Sequence, residues 1–195
     1  MTTEEIKQIA GTGTGVAHCP SANMRCGQGI AKIREMLDAG VRVGLGVDGS
    51  ASNDTSNMFM EARLAMMLQR VAPHHYLSEK PGGRGGFGGT PKALSAREAF
   101  EMATRGGAAI LGRDDIGHLA PGMSADFIAV NLNQLGMSGA QRDPLAGLLL
   151  CGPFRVDYSF INGQEIICKG EFCAFDVAAA MADHADVIKR IYSDA

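Results

Sequence analysis

Two short apolar segments, each followed by a polar turn and then by a helix-like stretch, constrain the fold more than any other feature. The first is the segment 15–20 (GVAHCP), and the second is the segment 41–48 (VRVGLGVD). Helical spacing of apolar residues follows each of them, over 30–39 and over 57–71. Two successive strand–loop–helix units predict parallel strands joined by helical crossovers. The sequence therefore predicts an α/β fold.

Two capping boxes mark further helices. Thr2 and Thr3 with Glu5 predict a short helix that ends at Gly11, and Ser95 with Glu98 predicts a helix through residue 111. Between them, residues 73–91 are rich in glycine and have few side chains that could pack. A phosphate-binding loop would need a Gly-Lys-Ser or Gly-Lys-Thr ending, which is missing, so a surface loop is favoured.

After residue 112 the sequence signals favour β-strands and turns over helices. Residues 117–131 predict a turn and a strand, and the Asn162-Gly163 pair between two apolar runs predicts a β-hairpin. An amphipathic helix is expected over 176–192. These signals divide the chain into a region 1–112 of strand–helix units, a β region 113–175 and a C-terminal helix 176–195.

Composition excludes several classes of protein. The formal net charge is −3, without the basic excess that nucleic-acid binding requires. The longest apolar run, 145–151, is far shorter than the ~20 residues of a membrane span. The N-terminus lacks the pattern of a secretory signal, so a cytoplasmic location is expected. The five cysteines form no CxxC pair, which fits reduced thiols better than disulfides or a cysteine zinc site.

Two polar residues end the two predicted parallel strands, where α/β proteins place ligands and catalysts. Asp48 follows the strand of the second unit, and His18 ends the strand of the first. Each has a simpler interpretation. Asp48 could cap a turn in the segment 48–53 (DGSASN), and His18 could be a structural hydrogen-bonding residue.

The order and spacing of these motifs resemble the amidohydrolase superfamily. The matching segments are VAHCPSANM (16–24), LDAGV (37–41), GLGVDGSASN (44–53), ATRGGA (103–108) and GMSADFIAV (122–130). The similarity is to the branch of guanine, 8-oxoguanine, cytosine and triazine deaminases and chlorohydrolases. The Met24-Arg25 pair and the segments 46–53 (GVDGSASN) and 150–157 (LCGPFRVD) are most similar to 8-oxoguanine deaminases. The resemblance covers nearly the whole chain and implies the last two strands of a (β/α)8 barrel plus part of a small β-sandwich domain.

The resemblance also implies roles for four residues. Asp48 corresponds to the catalytic, metal-ligating aspartate at the end of the eighth barrel strand, which binds one divalent metal, with zinc favoured over iron. His18 and Asn23 are expected beside the metal pocket or the substrate. Arg25 is a candidate contact to the ring of the substrate or its carbonyl group, with a surface arginine as the alternative.

Departures from the family pattern matter as much as the matches. The His-x-His element, the two later histidines and the proton-shuttling glutamate of the family have no counterparts here, because the strands that carry them are absent. His74, His75, His118 and His184 do not match them in position, although the pair His74-His75 on a loop could hold a metal weakly. We therefore expect a C-terminal portion of a longer deaminase, inactive by itself, with Met1 as an internal methionine or an artificial start.

The implied reaction is hydrolytic deamination of an amino-substituted, purine-like heterocycle such as 8-oxoguanine, with release of ammonia. Dechlorination or amide hydrolysis of a triazine is the alternative within the family. A half-length, non-catalytic protein that binds a separately encoded barrel half is the alternative from another class. Expected partners are the small-molecule substrate, the missing N-terminal barrel half and, for the full-length protein, further copies of itself, since open parallel edges favour association.

Overall fold

The computed structural model describes residues 1–77, 93–152 and 155–193, with the side chains of 73–77 left out. The helices are α1 (Thr3–Thr12), α2 (Pro20–Arg25), α3 (Ile33–Asp38), α4 (Met58–Leu77), α5 (Ala96–Glu101), α6 (Gly107–Ile110), α7 (Pro144–Leu150) and α8 (Val177–Ser193). The strands are β1 (Gly15–His18), β2 (Arg42–Leu45), β3 (Phe127–Ala129), β4 (Tyr158–Ile161), β5 (Gln164–Cys168) and β6 (Glu171–Phe172). Contacts divide the chain into one unit of residues 1–123 and 132–153 and a second of residues 124–131 and 154–195.

A parallel pair of strands lies at the centre of the first unit. β1 and β2 pair from Gly15 opposite Arg42 to His18 opposite Leu45, and the helices α2 and α3 make the crossover. One more hydrogen bond, from the Gly46 N–H to the His18 carbonyl at 2.9 Å, continues the ladder past the last paired residues. The predicted parallel strands are confirmed. Their carboxyl ends are therefore in register, which brings the residues after each strand together.

The core of the first unit forms where α3, α4, the π-helical turn Met102–Gly106 and α6 pack on β2. Val43 and Leu45 of β2 are buried against apolar side chains of the helices, because a strand with helical crossovers buries most of its side chains. The buried cluster consists of Ile6, Ile33, Met36, Val41, Val43, Leu45, Ala62, Ala65, Met66, Leu94, Ala99, Met102 and Leu149.

Both predicted capping boxes are present. The Thr2 side chain accepts the Glu5 N–H while the Glu5 carboxylate accepts the Thr2 N–H at 2.6 Å, and α1 ends at Gly13 in the left-handed region. The Ser95 side chain and Glu98 form the same reciprocal pair at the start of α5. Each box satisfies backbone donors that an open helix end would leave to solvent.

A π-helical turn, Met102–Gly106, interrupts the helix that the sequence predicts from Ser95 to residue 111. This turn packs on β2 with almost no space between backbones. An added Cβ at Gly106 would lie under 3.0 Å from the Val43 carbonyl oxygen, and one at Gly44 would meet Ile110 and the backbone of Gly107. Glycine is required at these two positions because no side chain fits between the strand and the helical segment.

The second unit contains an antiparallel sheet of order β3-β4-β5-β6. The predicted hairpin joins β4 and β5, with Asn162 and Gly163 both at positive φ, 50° and 77°. Asn-Gly suits this geometry because both central residues of such a turn adopt the left-handed conformation. The turn is held by the Asp126 carboxylate, which accepts the Asn162 N–H at 2.5 Å. The predicted C-terminal helix is present as α8, and its residues are exposed or half-buried. Contacts place it in this second unit, whereas the sequence signals marked it as a separate region.

Several boundaries differ from those that the sequence indicates. Helix α4 continues to Leu77, so residues 73–77, which were predicted to begin the glycine-rich loop, are helical. The rest of that predicted loop, 78–91, lies outside the described residues. The segment after Pro20, predicted as a polar turn, forms the helix α2. Contacts place 113–123 and 132–153 with the first unit, whereas the composition change at residue 112 assigned them to the β region. Within the described part of the chain, no helix is both long and apolar enough to cross a membrane.

Candidate active site

The candidate site lies at the carboxyl ends of β1 and β2. β1 ends at His18, and Cys19 follows it directly. Val47 and Asp48 lie two and three residues after the end of β2. The register of the two strands aligns their ends, since His18 pairs with Leu45. The structure therefore brings the predicted residues His18 and Asp48 to the same edge of the sheet.

Asp48 adopts a strained but well-supported conformation. Its φ is 63°, in the left-handed region that non-glycine residues adopt at an energetic cost. The Ser52 hydroxyl donates to one carboxylate oxygen of Asp48 at 3.0 Å and also contacts the Gly49 carbonyl oxygen at 3.1 Å. The N–H groups of Ser52 and Asn53 both donate to that carbonyl oxygen, each at 3.0 Å. This tight turn leaves the Asp48 side chain exposed at the strand end.

Three side chains form a buried polar network behind Asp48. Glu61, on the first turn of α4, is 0% exposed. Its carboxyl group accepts the Ser21 N–H at 3.0 Å, the Ser21 hydroxyl, and the Asn53 side-chain amide at 2.9 Å. Ser21 belongs to the segment after β1 and Asn53 to the segment after β2. A single glutamate thus joins both segments to the same helix.

Asn53 uses both ends of its side-chain amide. The Nδ2 group also donates to the Val47 carbonyl oxygen at 2.9 Å, and Oδ1 accepts the N–H groups of Thr55 and Ser56, each at 3.2 Å. The Val47 carbonyl belongs to the peptide group that leads into Asp48. The network therefore links the buried side chain of Glu61 on α4 to the peptide group that precedes Asp48.

His18 is almost completely buried, with 3% of its surface exposed. Its Nε2 atom has no hydrogen-bond partner among the described residues. Burial lowers the pKa of His18 to about 4, because the imidazolium form loses its hydration. The side chain is therefore neutral at neutral pH. A neutral imidazole with a free nitrogen can donate or accept one further hydrogen bond.

Cys19 lies between the two strand ends. A Cβ added at Gly46 would meet the Cys19 sulfur at 3.0 Å, so Gly46 makes room for this thiol. Burial raises the pKa of Cys19, and the negative charges of Asp48 and Glu61 raise it further. The group is thus a protonated, unreactive thiol at neutral pH.

Arg25 and Asn23 lie on α2, next to the strand end. The Arg25 guanidinium forms an ion pair with Asp54, and both side chains are exposed. Asp54 belongs to the segment after β2, so this pair links the surface ends of the two loops. Asn23 is half-buried, and its backbone N–H donates to the Cys19 carbonyl at 3.0 Å.

Glu61 and Asn53 are the components that sequence reasoning missed. Asn53 was part of a matching segment without an assigned role, and Glu61 was not considered. A signal for Glu61 does exist in the sequence. It lies at helical spacing from Met58 and Ala65 and beside Ala62, so it falls on the face of α4 that was predicted to be buried. A carboxylate on such a face needs donors from another element.

A metal needs more ligands than the described residues bring together. Among the described residues, no group of three or more histidine, cysteine, aspartate or glutamate side chains is arranged to hold an ion. Asp48 does suit the role of one ligand, since it places an exposed carboxylate at the strand end and only one of its oxygens is engaged by Ser52. His74 and His75 lie on α4, not on a loop, and His118 and His184 are exposed.

Residues 1–166 match the amidohydrolase family. The match covers most of the chain, and the chain therefore belongs to the amidohydrolase family. It is 44% identical over 181 residues to an 8-oxoguanine deaminase of Pseudomonas aeruginosa, with 93% of this chain and 36% of that protein covered. It is 40% identical over 199 residues to a hydroxydechloroatrazine ethylaminohydrolase of Pseudomonas sp., with coverages of 100% and 38%.

Solved structures resemble this chain over almost its whole length. A zinc complex of atrazine chlorohydrolase from Arthrobacter aurescens superposes with a TM-score of 0.84 and 36% identity, covering 96% of this chain and 39% of that one. A zinc-bound adenosine deaminase from Xanthomonas campestris gives a TM-score of 0.85 and 28% identity, with coverages of 99% and 41%. The chain thus spans about two fifths of the length of each of these relatives.

Proposed function

We propose that this chain is the C-terminal part of a metal-dependent hydrolytic deaminase that acts on an amino-substituted, purine-like heterocycle such as 8-oxoguanine and releases ammonia. The observation that carries the proposal is Asp48, an exposed carboxylate at the carboxyl end of a buried parallel strand, next to His18 at the end of the adjacent strand. The 44% identity to an 8-oxoguanine deaminase supports a purine-like substrate.

The chain would contribute the last two strands of a (β/α)8 barrel and part of a β-sandwich domain. The parallel pair β1–β2 with its helices supports the first assignment, and the antiparallel sheet β3-β4-β5-β6 supports the second. The remaining barrel strands would come from a region that corresponds to the part of the relatives that this chain does not cover. Closure of the barrel would cover the open strand edges.

Asp48 would hold one divalent metal through the carboxylate oxygen that Ser52 leaves free. Such a metal, zinc rather than iron, would lower the pKa of a bound water towards ~7 and so make it nucleophilic at neutral pH. The zinc in the two solved structures supports the choice of metal. The Asp48 carboxylate would also accept a hydrogen bond from that water, which orients it, and would take up its proton as the water attacks the ring carbon. The other metal ligands and the proton-shuttling acid would belong to the missing strands.

The other predicted residues would contact the substrate or support its pocket. Neutral His18 has a free Nε2 for one hydrogen bond to a neighbouring ligand or to the substrate. Arg25, which Asp54 holds at the surface, would contact the planar carbonyl edge of the heterocycle. Asn23 would support the pocket from α2. A cytoplasmic location and association into homo-oligomers remain predictions.

A complete enzyme is needed for the test. DNA upstream of the codon for Met1 shows whether the reading frame continues into the missing barrel strands; if it does not, the chain is combined with a separately encoded barrel half. The assay measures bound metal and ammonia release from 8-oxoguanine. We expect both in the wild-type protein and neither in Asp48→Asn. Absence of metal and ammonia in the complete wild-type enzyme would contradict the proposal.

A second candidate is a hydrolase of triazines. The structural similarity to atrazine chlorohydrolase and the 40% identity to hydroxydechloroatrazine ethylaminohydrolase favour it. The same water would attack a ring carbon, and the leaving group would be an amine or chloride. Comparing kcat/KM for 8-oxoguanine and for amino- and chloro-triazines distinguishes the candidates, because differential binding of the transition states decides specificity. A half-length binding protein remains the alternative if no complete enzyme forms.

A further inference from the structure

The buried carboxyl group of Glu61 is the one charged side chain that α4 places behind the candidate metal ligand, among the residues the structure describes with side chains. A fully buried glutamate needs hydrogen-bond donors, since the unpartnered group would destabilise the fold. In the part of the chain that the structure describes, the donors to Glu61 all come from the two segments that follow β1 and β2: the Ser21 N–H, the Ser21 hydroxyl and the Asn53 amide.

The connection from Glu61 to Asp48 runs through two hydrogen bonds. Asn53 Nδ2 donates to Glu61 at 2.9 Å and to the Val47 carbonyl oxygen at 2.9 Å. The second bond immobilises the peptide group that precedes Asp48. Asp48 itself has a φ of 63°, a conformation that persists only where its surroundings enforce it.

The same residue also controls the neighbouring strand end. Ser21 lies three residues beyond His18, and its N–H and hydroxyl are both bonded to Glu61. Loss of the Glu61 acceptors would therefore release the segments after both strands. These two segments lie directly beyond His18 and on either side of the Asp48 turn, so their release would disturb the candidate site.

We propose that Glu61 is a positioning residue for the metal site: it holds the backbone of Asp48 in the ligating conformation through Asn53 and aligns the β1 end through Ser21. This inference rests on the proposed function, because it assumes that Asp48 binds the metal. Residues that orient metal ligands typically change metal affinity by about 10–100-fold when they are replaced. Glu61 does not itself touch the substrate or the metal in this proposal.

Glu61→Gln is the sharpest variant. Glutamine keeps the size of the side chain but replaces one acceptor oxygen by an amide donor, which must then face Ser21 or Asn53, both of which donate here. Glu61→Asp serves as the second variant, since it keeps the charge and both acceptor oxygens on a shorter stem.

Gln69 on the same helix provides a matched control. It is also buried, with 4% exposed, and it also bridges two backbone groups: it donates to the Ala31 carbonyl at 2.8 Å and accepts the Arg34 N–H at 3.2 Å. Both of its partners lie in the segment around α3, away from the strand ends. Gln69→Ala therefore tests the general effect of a lost buried bridge on α4.

The first measurement is metal affinity in the complete enzyme, with kcat and KM for comparison. We expect Glu61→Gln to lower metal affinity about 10–100-fold and to lower kcat with little change in KM, and Glu61→Asp to recover part of the loss. Gln69→Ala should bind metal as the wild type does. If Glu61→Gln and Gln69→Ala retain equal, wild-type metal affinity, the inference is wrong while the proposed function stands.

The second measurement needs no metal. Amide hydrogen exchange in the apoprotein reports on the N–H groups of Ser52, Asn53, Thr55 and Ser56, which are all bonded within the Asp48 segment. Loss of about one hydrogen bond should speed their exchange on the order of tenfold in Glu61→Gln and leave it unchanged in Gln69→Ala. Unchanged exchange in Glu61→Gln would overturn the inference.

Asp48→Asn separates the two proposals. If this variant binds metal and releases ammonia as the wild type does, the proposed role of Asp48 fails, and the exchange data alone decide whether Glu61 positions the Asp48 segment. If Asp48→Asn loses the metal and Glu61→Gln keeps it, only the inference about Glu61 fails.

Discussion

Gly106 of the π-helical turn and Val43 of β2 approach each other so closely that a Cβ on Gly106 would lie under 3.0 Å from the Val43 carbonyl oxygen. The backbone of β2 cannot move away without disturbing its pairing with β1. The π-helical turn ends at Gly106, the residue that makes this contact. The same contact fixes β2, whose end carries the candidate site.

Gly106→Ala should destabilise the first unit by about 1–3 kcal/mol or more, because the added methyl group collides with backbone. The adjacent Gly107 is the control, as its added Cβ would have only the Met102 carbonyl oxygen nearby, at 4.0 Å. Gly107→Ala should be neutral or stabilising by up to about 1 kcal/mol, through helix propensity. Urea unfolding monitored by circular dichroism measures both. Equal stabilities of the two variants would contradict the proposed packing constraint.

Replacement of Asn53 should show that hydrogen-bond direction matters more than size. Asn53→Ala removes a bridge between Val47 and Glu61, with an expected loss of about 1–3 kcal/mol. Asn53→Asp keeps the shape of the side chain, but it places a carboxylate oxygen against the Val47 carbonyl and the Glu61 carboxylate, which are both acceptors. The expected loss of unfolding free energy is about 3–5 kcal/mol, because the site is buried. The measurement is the free energy of unfolding in urea.

Asn57→Asp is the control for the same chemical change. Asn57 precedes α4, and its Oδ1 accepts the N–H groups of Phe59 at 3.0 Å and Met60 at 3.2 Å. Aspartate keeps this acceptor and suits a helix N-terminus, so stability should not fall. If Asn53→Asp were as harmless as Asn57→Asp, the Asn53–Glu61 bridge would not exist in solution.

Because His18 is buried, we expect the fold to lose stability in mild acid. Its pKa is about 4 in the folded chain, against its ordinary value of 6.5, because burial disfavours the charged form. As the pH falls below 6.5, the unfolded chain gains a proton that the folded chain binds only near pH 4, so the unfolded state is stabilised. The loss should approach about 3 kcal/mol at pH 4 and stop growing below it.

The measurement is the urea unfolding midpoint between pH 7.5 and about 4, compared with that of His18→Gln. Glutamine does not titrate, so the difference between the two pH profiles isolates the imidazole. Parallel profiles would mean that His18 is accessible to water in solution.

Arg25 should matter for the substrate and not for stability. Its ion pair with Asp54 is exposed on both sides, and such pairs contribute about 0–1 kcal/mol. Arg25→Ala should leave the unfolding free energy nearly unchanged but raise KM of the complete enzyme roughly tenfold or more, since a hydrogen bond to a charged group is lost. Asp54→Ala controls for loss of the ion pair alone. An unchanged KM in Arg25→Ala would identify Arg25 as a surface residue without contact to the substrate.

Local sequence signals predicted a large part of the fold. Alternation and helical spacing indicated β1, β2 and α8, the Thr2–Glu5 and Ser95–Glu98 boxes marked two helix starts, and Asn162-Gly163 predicted the hairpin. These features depend on groups within a few residues of each other. Asp48 and His18 could be placed at strand ends for the same reason, because their position follows from where each apolar run stops.

The tertiary structure decided the rest, where the partners are distant in the chain. Glu61 meets Ser21 across 40 residues, so no window of sequence shows that its carboxyl group is satisfied. The close approach of Gly106 to Val43 joins residues that are distant in the chain, and the burial that lowers the pKa of His18 arises only in the folded protein. The sequence by itself therefore determined the elements and the residue that ends each strand. Packing and long-range hydrogen bonds decided which side chains support Asp48 and in which protonation state His18 stands beside it.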